Sequence, residues 1–234
     1  MSDSDTSSNL SFDAADSADS RQALITFMEE QEQKLAAFPP DGVQLELAQI
    51  KLDLAEAAVG LSQMEEAWTQ ARQAFNIFLE NEHWQEAVEC TEILYRADQP
   101  ASVVALGQGM WLSVTYPIDP QLTINMMSHF IDDTPPKADG AALAAIVAHY
   151  VADVRNEGEA RDNMMFLTNN MVYNVAEGHG KVHDQTTFSL WMERLELLDP
   201  AVFLKRFGLV IGAIVPNEEW WFDREALRAK IPDQ

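Results

Sequence analysis

The sequence predicts an all-α chain of about ten helices, arranged as antiparallel helical hairpins stacked into a solenoid or an irregular bundle. Three observations predict it. Apolar residues recur every three or four positions along most of the chain, the spacing of a helix with one buried face. The breaks between these stripes are short, and helices on short connections fold back antiparallel. Period-two alternation and Asn-Gly turns between β-branched runs are absent, so no strand is predicted.

Residues 1–20 are rich in Ser and Asp and contain no basic residue, with Leu10 and Phe12 the large apolar side chains after Met1. Such a segment buries too little surface to offset its ordering entropy, so a disordered acidic tail is expected. A short binding motif around Leu10 and Phe12 is the alternative. The main helical domain is placed at residues 21–215 and a C-terminal helical tail at 216–234. The first helix covers residues 21–37, with Leu24, Phe27, Met28, Gln31, Leu35 and Phe38 near one face. Pro39, Pro40, Asp41 and Gly42 end it, because proline lacks an amide donor and glycine permits the turn.

Three stripes follow. The first is Leu47, Ile50, Leu54, Ala57 and Leu61; the second is Met64, Trp68, Ala71, Phe75 and Phe78; the third is Trp84, Ala87, Thr91 and Leu94. Ser62 and Glu65 fit a capping box at the first junction. Gln99 and Pro100 close this group. The next helix runs through Val103, Leu106, Met110, Trp111 and Val114 until Pro117 breaks it. Asp119 with Pro120, and later Asp199 with Pro200, read as an N-cap followed by proline at the first helical position.

Ile124, Met127 and Ile131 mark the helix after Asp119, stopped by Thr134, Pro135 and Pro136. Residues 141–151 are apolar nearly all round, as in a helix buried on several sides. A Met-rich helix passes through Met164, Met165, Thr168, Met171 and Val175, and Glu177, Gly178, His179 and Gly180 read as a loop. Phe188, Trp191, Leu195 and Leu198 mark another helix, the one after Asp199 runs to about residue 215, and the tail's last helical pattern spans Trp220 to Lys230.

Charge narrows the function classes. The chain holds 38 acids against 15 Lys and Arg, a net charge of −23. Phosphate backbones and anionic membrane surfaces would be repelled, so neither nucleic acid nor membrane is an expected partner. Residues 1–136 carry 23 acids and 5 bases, whereas residues 137–234 carry 15 and 10. A negative N-terminal half steers a basic protein partner, and it also keeps a chain soluble. No apolar run reaches transmembrane length, the N-terminal residues lack a signal-peptide pattern, and Cys90 is the single cysteine. A soluble cytoplasmic protein is expected.

The phrase Gly60, Leu61, Ser62, Gln63, Met64, Glu65, Glu66, Ala67, Trp68 resembles the turn and second helix of the tetratricopeptide family. Ala71 and Ala74 follow where that family prefers small residues. His83, Trp84, Gln85, Glu86 and Ala87 echo the same start, and Pro100 stands near the family's terminal proline. The resemblance covers about residues 43–100, and Ala67 and Ala87 lie 20 apart rather than at the family's period of about 34. It implies a stack of helical hairpins used as a protein-binding scaffold.

Motifs for chemistry are sparse. His179 and His183, with Glu177 and Asp184 beside them, have the spacing of two metal ligands on one helical face, but the neighbouring glycines favour a loop and no third ligand is spelled out. His149 and Asp153, four apart, are expected to meet as a buried histidine satisfied by a carboxylate. Glu80 and His83 give one Glu-x-x-His without the second copy that a di-iron bundle needs. Cys90 reads as a small buried residue. Met126 with Met127, and Met164 with Met165, point apart within each pair, leaving some to line an adaptable groove.

No catalytic, cofactor-binding or metal-binding residue is predicted, and no cofactor. The leading expectation is a non-catalytic adaptor or assembly factor that engages a basic protein through Glu65, Glu66, Glu86 and Glu89, with Trp220 and Trp221 either a C-terminal anchor that leaves one indole for a partner or a plain cap on the end of the bundle. The alternatives are a small helical-bundle enzyme or ligand-binding protein with a pocket near His129, His149 or His179, and an acidic structural subunit of a larger complex. A homo-oligomer is left open.

Overall fold

The computed structural model describes the backbone of residues 6–231 and the side chains from residue 18. Among the described residues there are eleven α-helices, one short 3-10 helix and no strand. The all-α class is therefore as the periodicity predicts. The chain divides into two compact units, Met1–Pro100 and Ala101–Gln234. The division falls where Gln99 and Pro100 close the first helical group, inside the single 21–215 domain expected from sequence.

The first unit contains α1 (Thr6–Ala36), α2 (Gln44–Gly60), α3 (Met64–Glu80) and α4 (Trp84–Arg96). Helix α1 thus starts well before residue 21, and its backbone overlaps most of the segment read as an acidic tail. The candidate motif at Leu10 and Phe12 lies outside the described side chains. Each helix packs on the next in sequence, and α2 also meets α4. Periodicity found one face of α2, whereas the structure buries two: Leu54, Ala57 and Ala58 on one side, Ala48, Leu52 and Ala55 on the other. The second face exists because α1 covers α2 as well, close enough that a Cβ at Gly60 would come within 2.8 Å of Leu24. On α3 the small residues Ala67, Ala71 and Ala74 alternate with Phe75 and Phe78, all buried. Burying each Phe is worth about 1.5–3 kcal/mol.

The turns of this unit reuse one device. The Gln63 amide donates to the Ala58 carbonyl and the Ser62 amide to Val59; one turn later His83 donates to Phe78 and Glu82 to Leu79. These paired bonds form a Schellman motif, which ends a helix with one residue in the left-handed region. Ser62 and Glu82 occupy that position, each with φ of 62°. The capping box expected at Ser62 and Glu65 is not formed, because Ser62 is spent on ending α2 and Gln63 becomes the N-cap of α3 without a side-chain bond.

The second unit contains α5 (Ser102–Thr115), α6 (Pro120–Asp133), α7 (Asp139–Val154), α8 (Gly158–Gly180), α9 (Gln185–Arg194), α10 (Pro200–Ile214) and α11 (Arg224–Arg228). Helix α7 is its centre, packed by α6, α8 and α10. Its residues 141–148 are all buried, as the all-round apolar run predicts. Asp119 and Asp199 cap α6 and α10 with proline behind them, also as predicted. Met126 and Met127 are both fully buried, so that pair is core and lines no groove.

Two expectations are corrected here. Residues 177–180 continue α8 to Gly180, and Lys181, with φ of 52°, ends it instead of Gly178. Glycine inside a helix lowers propensity by only about 1 kcal/mol, which packing overrides. The tail carries α11 alone as an α-helix; Trp220 follows a 3-10 turn at Asn217–Glu219 with extended backbone, Trp221 lies in a bend, and neither is helical.

Candidate functional site: an acidic helical face

Helix α4 places Glu86, Glu89 and Glu92 three residues apart, so the three carboxylates fall on one side of the helix. Glu56 joins them from α2. Burial pushes the Glu89 carboxyl above the usual carboxylate range; a hydrogen bond from Gln85 opposes this, and the charges of Glu86, Glu56 and Glu92 add to it. Gln85 Nε2 donates to Glu89 Oε1 at 2.8 Å, and His83 Nδ1 lies 3.2 Å from Glu86 Oε1. Glu56 of α2 and Glu86 and Glu92 of α4 thus lie near enough to Glu89 to act on its charge, on the two helices that touch.

The sequence-predicted acids separate into two groups. Glu86 and Glu89 belong to this face. Glu65 and Glu66 are exposed in the first turn of α3, where Glu66 accepts from Gln70 at 2.7 Å and faces Lys51. Lys51 in turn donates to Gln73 at 2.7 Å. Glu56 and Glu92 were missed because one-dimensional periodicity does not reveal which helices of a stack share a side. The contact of α2 with α4 supplies that information.

Trp220 packs its indole, and Trp221 anchors its backbone amide, on their own unit. Trp220 stands edge-on to Trp111 at 6.1 Å and to Phe222 at 5.3 Å, with Arg224 over its ring at 4.3 Å. Its indole N–H donates to the Val215 carbonyl. The Trp221 amide donates to Gln108 Oε1 at 3.0 Å, and the Tyr116 hydroxyl donates to the Leu227 carbonyl at 3.0 Å. The two indoles are therefore not splayed on one helix as expected, since neither is helical.

The histidines are held structurally. Thr168 Oγ1 donates to the Met164 carbonyl at 2.8 Å, so its remaining bond at 3.0 Å accepts the His149 Nδ1 proton. Asp153 does not hydrogen-bond to His149; it pairs with Arg161. Burial lowers the His149 pKa, with Asp153 opposing and Arg161 reinforcing. His179 accepts the Trp191 indole proton on Nδ1 at 3.2 Å and meets Asp139 through Nε2 at 3.2 Å. His183 lies 3.8 Å from Glu177 and does not reach His179's partners. Among the described residues no group of three or more His, Cys, Asp or Glu side chains is placed to hold a metal. Cys90 is fully buried and its thiol is pushed up by burial and by Glu89 and Glu86.

A cavity of about 280 Å³ opens among α6, α7 and α8. Its apolar walls are Ile131, Pro136, Ala141 and Val175, and Asp132 and Asn174 stand at its polar side; no histidine lines it.

The fold and this site define an all-α chain of two helical units, the first bearing a carboxylate face. Comparison with protein-family models, curated proteins and solved structures finds no match. No described helix is long and apolar enough to cross a membrane.

Proposed function

We propose that the protein is a non-catalytic adaptor or assembly factor whose first unit engages a basic surface of another protein in the cytoplasm. The observation that carries this reading is the row of Glu86, Glu89 and Glu92 three apart on α4, with Glu56 acting on Glu89 from the neighbouring α2. Like charges three apart on a helix destabilise it by roughly 0.2–0.5 kcal/mol per pair. A cationic partner relieves that repulsion, so the free energy withheld from folding becomes available to binding. The first unit holds 20 acids and 5 bases, and the second 18 and 10, so this face belongs to the more negative unit. Tight turns join α2, α3 and α4 as consecutive antiparallel neighbours, an arrangement suited to a scaffold that presents one helical face to a partner.

The test compares proteins co-purifying with the wild type and with a Glu86→Lys, Glu89→Lys double variant, at 50 and 500 mM salt, where the Debye lengths are about 14 and about 4 Å. A basic protein retained only by the wild type at low salt is the expected result. A partner held equally by both chains at both salt concentrations overturns the reading.

A further inference from the structure

The cavity of the second unit lies where two helices end. Ile131 and Asp132 belong to the last turn of α6, Asn174, Val175 and Gly178 to the last two turns of α8, and Ala141 to the first turn of α7. At about 280 Å³ it falls below the roughly 300–1,000 Å³ of pockets that enclose a drug-sized ligand. It exceeds the roughly 150 Å³ that holds one benzene ring in an apolar cavity. Its size therefore suits a single side chain, and its walls of Ile131, Pro136, Ala141 and Val175 suit an apolar one.

The charge beside it is of the wrong sign for its helix. Asp132 and Asp133 sit in the last turn of α6, which carries no basic residue there. The C-terminal end of a helix dipole is itself negative, and carboxylates there are unfavourable while cations are favoured. Lys137 is the base in the following loop, and it is not part of the lining. Asp132 lines the cavity and is exposed, so a cation presented from outside meets both the carboxylate and the end of α6. Asn174 of α8 also lines the cavity and is exposed, and Asn170, one turn before it on the same helix, is exposed as well. An asparagine amide offers one acceptor and two donors, the complement of a peptide group, and asparagine inside a helix costs local propensity.

We propose that this cavity is a peptide-recognition subsite for one aliphatic side chain of an extended partner segment, with an adjacent Lys or Arg directed to Asp132 and the peptide backbone to Asn174. It deepens the reading of a basic protein partner but stands on residues of the second unit alone, so charge reversal at Glu86 and Glu89 leaves it unchanged.

The probe is a fluorescein-labelled, end-capped peptide Ser-Gly-Lys-Leu-Lys-Gly-Ser, titrated with the full chain by anisotropy. Saturable binding is expected, weakened about tenfold or more when the peptide's Leu becomes Ser or its Lys residues become Glu. Asp132→Asn should weaken it several-fold and flatten its salt dependence. Gly178→Leu should abolish it with the thermal midpoint kept, since a Cβ there meets only Pro136 at the ordinary distance of 3.8 Å and a longer side chain fills the cavity. If that variant loses stability, Asn174→Ala combined with Asp132→Asn decides on the exposed rim. No saturable binding, equal binding of the Ser peptide, or indifference to the Asp132 and Asn174 changes overturns the subsite. Leucinamide binding as tightly as the peptide overturns peptide recognition in favour of a small-molecule pocket. Binding that survives the Glu86→Lys, Glu89→Lys change shows that the two readings stand or fall separately.

Discussion

Arg155 joins three helices through one guanidinium. Its Nη1 donates to the Ser113 carbonyl at 2.8 Å and to Thr123 Oγ1 at 3.4 Å, and its Nη2 to the Val114 carbonyl at 3.1 Å. It thereby caps the C-terminal end of α5, where orphan carbonyls and a negative dipole favour a cation. Arg155→Met should lower stability by about 2–3 kcal/mol, since hydrogen bonds from charged groups are worth about 1.5–3. Arg155→Lys should recover only part, because an ammonium lacks the planar fork. Urea midpoints at constant slope would measure both. His149 gives a pH signature. Its folded pKa lies below the unfolded value of about 6.5. The unfolded chain therefore binds the proton first, and stability falls as pH drops below about 6.5 until the lowered folded pKa is passed. His149→Asn should flatten that part of the stability profile between pH 7.5 and 5.5. None of the Arg155 bonds was legible in sequence, because each spans more than thirty residues, and the His149 to Asp153 spacing pointed to the wrong partner. The burial of Cys90, by contrast, followed from its place beside Val88 on a stripe of α4.

The helices and their caps follow local rules, so most were readable. Asp119 and Asp199 sit before prolines and cap as their chemistry requires. The left-handed turn residues were not readable, since the family of Ser62, Glu82 and Glu196 has no glycine to mark it. A non-glycine residue there costs roughly 1 kcal/mol or more. Ser62→Gly should therefore stabilise the first unit by about 0.5–1 kcal/mol and raise its melting temperature. The same substitution inside α2 would do the reverse. Helix α5 shows the opposite constraint: a Cβ at Gly107 would overlap Val215, which is fully buried at the end of α10. Gly107→Ala should cost about 1–3 kcal/mol by overpacking in spite of its better helix propensity. On α4 the folded pKa of Glu89 lies above its unfolded value. Its favourable contribution is present below about pH 4.3 and lost as pH rises through the folded value. Glu89→Gln should then raise the melting temperature at pH 7, with the gain shrinking as pH falls toward 4.

For the whole molecule, composition showed the class and the charge asymmetry but not the division at Pro100, because two all-α units differ little in local pattern. The tail is the sharpest case. Adjacent tryptophans read either as a helical anchor or as a cap on the bundle; the helix is not formed, and Trp220, Trp111 and Phe222 make one aromatic cluster with Leu227 buried. Aromatic pairs add about 0.5–1.5 kcal/mol each beyond their buried area. Truncation after Val215 should thus cost the second unit more than about 3 kcal/mol, read as a lowered melting temperature by circular dichroism.

That same aromatic clasp has a consequence for biosynthesis. In the first unit every helix packs on its neighbour in sequence, and such local topologies fold in microseconds to milliseconds. The second unit closes only when Leu227 reaches Tyr116 across 111 residues. At roughly 5–20 residues per second of translation, its earlier helices wait on the order of ten seconds for that clasp. The first unit is then expected to complete its fold on the ribosome while the second is still an open chain, so under the proposed function its carboxylates would be presented before the nascent protein is finished.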